Sequence, residues 1–241
     1  MTKHFVPLEC NPEVFDELIH SLGVTTALSF HDVYVIDDPD MLAMIPRPVY
    51  ALLLVFPVSD TYEEYRHDSD KDLADDYYNS VSGTDKEQAV WFKQTIGNAC
   101  GTMALLHALA NGIPAGMIEP GSTIDILIKE SIPLNTVERV KLLENSTELE
   151  QQHAKVGIKG DTAAPDAEAS VEFHYVCLTR ARNSDHLVEL DGRRKGPIDL
   201  GPLSPDSDLL SEPALNKVRE FLARESASSA FSIIALAPSF S

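Results

Sequence analysis

Cysteine is scarce in this chain. Cys10, Cys100 and Cys177 are the only three among 241 residues, an odd number at wide spacing. That excludes a disulfide framework and leaves no thiol pairs at the short intervals that zinc requires, so no metal is expected. Basic residues are also few, 19 Lys and Arg against 38 Asp and Glu, a formal net charge of −19. Nucleic-acid binding leaves a basic footprint, so no nucleic-acid partner is expected. The balance favours solubility and attraction to a cationic partner. The sequence contains no run of 18 or more apolar residues, the length a membrane span needs, so no membrane association is expected. The opening stretch, MTKHFVPLECNPEV, has no basic region followed by an apolar one and does not read as a secretory signal. These absences point to a soluble monomer of a reducing compartment: the cytoplasm, with the nucleus also open.

A hydrophobic share of 44% is ample for a core. In CNPEVFDELIHSLGV, Asn11 reads as a helix cap with Pro12 at the first helical position, Val14, Phe15, Leu18, Ile19 and Leu22 on one face, and Gly23 as the stop. FHDVYVI (30 to 36) and VYALLLVFPV (49 to 58) read as strands, the second apolar enough to be central. Residues 59 to 88 hold ten acidic and three basic residues and read as a solvated helical excursion, with an acidic docking site as the rival description. A helix is expected over 134 to 149, followed from about 145 to 170 by a long polar connection without apolar period. Such a connection inside a compact domain is a lid or a disordered segment. Strands return at 171 to 179, 186 to 192 and 231 to 238, the last after the helix SEPALNKVREFLAR. With no repeat and no linker, the reading is one α/β domain.

The chemistry concentrates in KQTIGNACGTMALLHALANG, residues 93 to 112. With Asn98 as cap, Cys100 falls at the second helical position, where the helix dipole and unspent N–H groups lower a thiol's pKa and supply an oxyanion donor. Gly97 and Gly101 leave that thiol unshielded. An inert core thiol is the competing description. Of the eight histidines, His107 lies on the same helix face, but seven residues at about 1.5 Å each put it about 10.5 Å from Cys100. His174 sits inside a largely apolar strand and needs a partner. A hairpin centred between Arg182 and Asn183 pairs Cys177 with Val188 and sets His174 opposite Asp191, within imidazole–carboxylate reach. A satisfied core histidine and a turn residue before Gly192 remain the alternatives for these two.

Three blocks, QTIGNACGT, FHYV and LVELDGRRKGPIDLG, resemble the signature blocks of the ubiquitin carboxyl-terminal hydrolases, the papain-like thiol deubiquitinases. PLECNPEVF and IPRPVYALLLVFP resemble that family too, and the likeness is to its short, single-domain members. The resemblance implies a catalytic domain over residues 4 to 238. It also implies an α/β (α+β) fold in which helical lobes flank a central, mainly antiparallel six-stranded sheet, on a knotted backbone. Cys100 then matches the nucleophile, His174 the general base and acid, Asp191 its orienting carboxylate and Gln94 an oxyanion donor. No metal or organic cofactor is implied.

The resemblance makes the segment from about 145 to 170 the family's active-site crossover loop, with Gly157, Ile158, Lys159, Gly160, Asp161, Thr162, Ala163 and Ala164 in the part that touches ubiquitin. It likewise implies ubiquitin contacts from Pro7, Leu8, Glu9 and Asn11. Glu9 and Asp32 are candidate partners for the two arginines of ubiquitin's cationic, diglycine-ended tail. The implied activity is hydrolysis of ester, thioester, amide or small peptide adducts at the C-terminal glycine of ubiquitin. A hydrolase preferring the modifier NEDD8, and a mainly non-catalytic ubiquitin-binding or sequestering protein, remain as alternatives.

Overall fold

Two apolar strands set the centre of the molecule in this computed structural model, which describes residues 3–162, 165, 167, 173–224 and 230–240. Strand β2 (Ala51–Pro57) is buried along nearly its whole length, and β3 (Phe173–Arg180) pairs with it from end to end, antiparallel. The sheet grows outward from this pair. On one side lie β6 (Ser232–Pro238) and then β1 (Leu28–Asp32); on the other lie β4 (His186–Leu190) and then β5 (Ile198–Pro202). Every pairing in the six-stranded sheet is antiparallel.

Because side chains alternate along a strand, β2 feeds two cores. Leu53 and Val55 join the core under α1 (Pro12–Leu22) and α4 (Cys100–Asn111). That core also takes in residues of α5 (Thr123–Ser131), α6 (Thr136–Asn145) and α7 (Thr147–Gly157). Leu52, Leu54 and Phe56 join the opposite core, with Tyr62 of α3 (Asp60–Asp70) and the apolar face of α8 (Glu212–Arg224). A short helix, α2 (Pro39–Ala43), completes the described α-helices. None of these is long and apolar enough to cross a membrane.

Helix α1 follows its sequence signals: Asn11 accepts from Glu13 N–H at 2.9 Å, and Gly23 closes the helix at φ 105°. Other elements differ from the sequence reading. Strand β1 stops at Asp32 instead of running to Ile36. The helix expected over 134 to 149 is two helices that meet at Ser146, whose side chain accepts from Leu149 N–H and starts α7. The connection expected from 145 is therefore helical as far as Gly157, because Leu149, His153 and Val156 recur at helical spacing on a buried face. The crossover runs from Ile158 to the start of β3.

The acidic stretch 59 to 88 is not merely a solvated excursion. Its Asp70 pairs with Arg194 at 2.6 Å, and its Glu87 binds Arg139 at 2.6 Å, both inside the protein. Buried carboxylates require such partners, and here that requirement turns an apparent surface patch into internal ion pairs.

Candidate active site

Cys100 is placed by the abrupt entry of an extended segment into a helix. Asn98 takes a left-handed backbone at φ 57° and Ala99 is the N-cap, so Cys100 is the first helical residue and not the second. The cap is a backbone turn, and the Asn98 side chain is used elsewhere: its Nδ2 donates to the Ala167 carbonyl at 2.8 Å. Gly97 is required by packing, since a Cβ there would come within 2.1 Å of the His4 ring. Its backbone ties down the N-terminal segment, with Phe5 N–H donating to Gly97 O at 2.9 Å and Gly97 N–H to Lys3 O at 2.8 Å. Cys100 sits at the first turn of α4, where helix N–H groups have no partner within the helix. Its thiol opens into a cavity of about 300 Å³.

His174 lies one residue into β3, with Phe56 as its cross-strand neighbour. It is 2% exposed, with the rings of Phe56 and Tyr62 at 5.9 and 5.7 Å. Its Nε2 lies 2.7 Å from Asp191 Oδ1. An ionised carboxylate only accepts, so Nε2 carries the proton and Nδ1 is the ring nitrogen left for other partners. Burial alone would lower the pKa of His174. The Asp191 charge and hydrogen bond, helped by the Cys100 thiol, outweigh it and raise the value to about 9. Asp191, despite burial, is held well below the usual carboxylate range by His174 and by hydrogen bonds from His174, Tyr62 and the Arg193 N–H.

The hairpin register differs from the sequence reading by two residues. Cys177 pairs with Leu190 and Thr179 with Val188, and β4 ends at Leu190 before reaching Asp191. A slip of two preserves the face, where a slip of one would have reversed it. His174 and Asp191 therefore still meet, through a turn instead of a strand pair. In that turn Arg193 N–H donates to Asp191 Oδ1 at 2.8 Å, and Trp91 Nε1 donates to the Asp191 carbonyl at 3.0 Å. Gly192 lies against Gln94: Gln94 N–H donates to Gly192 O at 2.8 Å, and a Cβ on Gly192 would come within 2.8 Å of the Gln94 Cβ. The segment that leads to Cys100 thus rests on the turn that carries Asp191.

The Gln94 side chain is weakly held. Its Nε2 makes a 3.4 Å contact with Ile96 O, and its buried Oε1 has no partner. His107 is fully buried and accepts from Phe92 N–H at 3.0 Å through Nε2, and burial lowers its pKa to about 4. It is a neutral framework residue.

Pro7, Leu8, Glu9, Gly157, Lys159 and Thr162 line the same cavity as Cys100. Glu9 carries an added feature. It accepts from Asp161 N–H at 3.1 Å and Thr162 N–H at 2.9 Å, and also from the Thr162 hydroxyl. Those bonds, the Thr162 hydroxyl first, lower its pKa. Glu9 therefore fastens the crossover, and Gly160 passes over it at φ 130°. Asn11 is used as the cap of α1. Asp32 does not line this cavity; it borders a neighbouring groove with Pro12 and Tyr34, and accepts from the Tyr34 hydroxyl at 3.0 Å. Ile158 is exposed. Ala163 and Ala164 lie outside the described residues.

Tyr62, Trp91 and Arg193 are the neighbours of Asp191 that sequence reasoning missed. The single tryptophan was a signal available in the composition; Tyr62 gave none, because its partner lies 129 residues away.

The α/β fold, with a cysteine at a helix start lining a cavity and a buried histidine held by a carboxylate, is the arrangement expected of the class of thiol hydrolases. Comparison with known proteins gives the family. Residues 5–223 match the family described as "Ubiquitin carboxyl-terminal hydrolase, family 1". The chain is 34% identical over 236 residues to ubiquitin carboxyl-terminal hydrolase 3 of Arabidopsis thaliana, covering 98% of this chain and 94% of that protein. It is 35% identical over 223 residues to the ubiquitin carboxyl-terminal hydrolase of Aplysia californica, covering 92% and 97%. The catalytic domain of Trichinella spiralis UCH37, solved bound to ubiquitin vinyl methyl ester, shares the fold at a TM-score of 0.73 and 22% identity, over 98% of this chain and 96% of that one. The chain belongs to the ubiquitin carboxyl-terminal hydrolase family of cysteine peptidases.

Proposed function

We propose that residues 4 to 238 form a catalytic domain that hydrolyses small adducts from the C-terminal glycine of ubiquitin, through Cys100, His174, Asp191 and Gln94. The observation that carries this reading is a buried His174 held by Asp191 at 2.7 Å, with Cys100 near enough to help raise the His174 pKa and lining a cavity. The other two thiols are poor nucleophiles. Burial first, and then the Asp32 charge, pushes Cys10 up to about 12, and burial drives Cys177 well above the ordinary thiol range.

The thiol passes its proton to His174 Nδ1, and Sγ bonds to the glycine carbonyl carbon. The Cys100 N–H and the Gln94 amide meet the oxygen as it gains charge. Loose side-chain contacts of the kind Gln94 makes are common in free enzymes and tighten with substrate. The imidazolium returns the proton to the departing amine, alcohol or thiol, leaving ubiquitin as a thioester on Cys100. His174 then takes a proton from water, whose oxygen attacks the thioester carbonyl, and Cys100 leaves as the thiol. No metal or organic cofactor enters the scheme.

Ubiquitin as substrate rests on family membership, and on a relative of this fold solved with a ubiquitin vinyl methyl ester. The net charge of −19 suits its cationic tail. NEDD8 offers a similar diglycine end, and a direct comparison of the two modifiers belongs with the test that closes the Discussion.

A pH profile tests the orienting role of Asp191. The Asp191 charge favours the imidazolium, so wild-type kcat/KM falls as pH rises through about 9, where His174 loses its proton. In Asp191→Asn that support is gone. The alkaline limb moves to lower pH, and the rate falls by roughly 100- to 10,000-fold. An unchanged limb with a near wild-type rate would remove Asp191 from the scheme.

A further inference from the structure

We propose that Tyr62 is a positioning residue for the reaction: its hydroxyl holds the second oxygen of Asp191 and so fixes the carboxylate plane toward which His174 is aimed. The inference rests on the Cys100–His174–Asp191 reading above. Asp191 Oδ1 serves His174 at 2.7 Å and the Arg193 N–H at 2.8 Å, while Oδ2 accepts from the Tyr62 hydroxyl. With donors on both oxygens the carboxylate cannot rotate about its own bond without breaking one of them. Burial and the neighbouring Asp191 charge raise the Tyr62 pKa far above its ordinary value, so the phenol keeps its proton and remains a donor.

Tyr62 is itself held at every level. The Ser59 side chain caps α3 by accepting from Tyr62 N–H at 2.9 Å. The ring is fully buried, edge-on to Phe56 at 4.9 Å and tilted against His174. The same helix grips the turn beyond Asp191 along a face of residues three and four apart. Glu63 binds Arg193 at 2.5 Å, Arg66 Nη1 donates to Arg193 O at 3.3 Å, and Asp70 binds Arg194 at 2.6 Å. Lys195 N–H reaches Asp70 at 3.2 Å, and Lys195 Nζ reaches Leu73 O at 2.6 Å. Tyr62 is the member of this clamp whose functional group touches the carboxylate beside the reacting histidine.

The rival description is a core tyrosine that happens to find an acceptor. Tyr62→Phe keeps the ring and removes one oxygen, leaving Oδ2 buried without that donor. Its expected effect is a fall in kcat of about tenfold or more, the size of one hydrogen bond to a charged group expressed in a barrier. KM should change by less than about threefold, well under the kcat effect, because the carboxylate acts on the reacting groups and not on the bound tail. Active sites are titrated with a ubiquitin C-terminal electrophile so that kcat refers to folded enzyme. The low-field proton resonance of His174 Nε2–H, identified by its loss in His174→Ala, should move upfield or broaden.

Tyr78→Phe is the control. Its phenol is also a buried donor, to the Ala89 carbonyl at 2.6 Å, and its loss should leave kcat and the resonance unchanged whatever it costs in stability. Wild-type kcat and an unmoved resonance in Tyr62→Phe, or an equal kcat loss in both variants, would overturn the proposal. Turnover surviving in Cys100→Ala, measured alongside, would instead overturn the triad on which it rests.

Discussion

Cys100→Ala is expected to abolish hydrolysis of a ubiquitin C-terminal amide, by at least about ten-thousand-fold, while the affinity for ubiquitin stays within about threefold of wild type. The asymmetry follows from what the thiol does. It forms its bond only along the reaction coordinate, so its removal takes away transition-state stabilisation and leaves the ground-state contacts in place. Cys10 is the informative comparison, because it lines the same cavity as Cys100. Its thiol is pushed up to about 12, chiefly by burial, so Cys10→Ala keeps turnover. Cys177, fully buried in β3, behaves in the same way if the variant folds. Single-turnover hydrolysis and equilibrium binding on the three variants check the pattern. Substantial turnover by Cys100→Ala would remove it as the nucleophile.

The second large effect concerns substrate size. The crossover spans the chain between the last residue of α7, Gly157, and the first of β3, Phe173. That leaves 173 − 157 − 1 = 15 residues, Ile158 among them. Two residues place the crossover beside Cys100: Glu9 fastens its start at Asp161 and Thr162, and Asn98 reaches Ala167. Fully extended, 15 residues span at most about 50 Å. A folded domain of about 75 residues has a radius of gyration near 11 Å, hence a diameter of roughly 29 Å. An arch that rises one radius on each side of such a body and then half-circles it needs roughly 75 Å.

The wild-type chain should therefore pass peptides and small thiols and refuse a folded leaving group. Inserting Gly and Ser after Pro165 leaves the Glu9 contacts intact. With Thr162 held by Glu9, the span from 163 to 172 is left to arch. About thirteen added residues bring its reach to about 75 Å at a closure cost near 0.7 kcal/mol. The longer variants fold normally, keep their rate on small amides and gain lysine-linked diubiquitin cleavage as the insert lengthens. If the wild-type chain already cleaves diubiquitin as fast as a small amide, the crossover does not filter by size.

Much of this site was legible because its signals are local. The cysteine among Gly97, Asn98 and Gly101 marked a helix start, and the apolar run around residues 49 to 58 marked a central strand. The pairing of His174 with Asp191 was legible in a weaker sense. Alternation fixes the face of a strand residue, while the length of the turn fixes its register, so the face was right and the register two residues out. The role of α3 was not legible. Acidic residues at high density look solvated, and nothing local reveals that Asp70 and Glu87 answer arginines far along the chain. The part Glu9 plays in fastening the crossover was not legible for a related reason. A free carboxylate in a cleft suits a cationic tail, but in the folded chain its nearest donors belong to the crossover itself. Binding of a tail arginine at Glu9 has to share or displace those donors.

The central claim is that Cys100 attacks the end of a ubiquitin tail, and covalent capture tests it most directly. The protein is treated with ubiquitin vinyl methyl ester and, in parallel, with the corresponding NEDD8 electrophile, and the adduct is located by peptide mapping. The account predicts one ubiquitin per chain, attached at Cys100, formed faster than any NEDD8 adduct and absent in Cys100→Ala. An adduct on Cys10 or Cys177, or no adduct from a folded protein that binds ubiquitin, would contradict it.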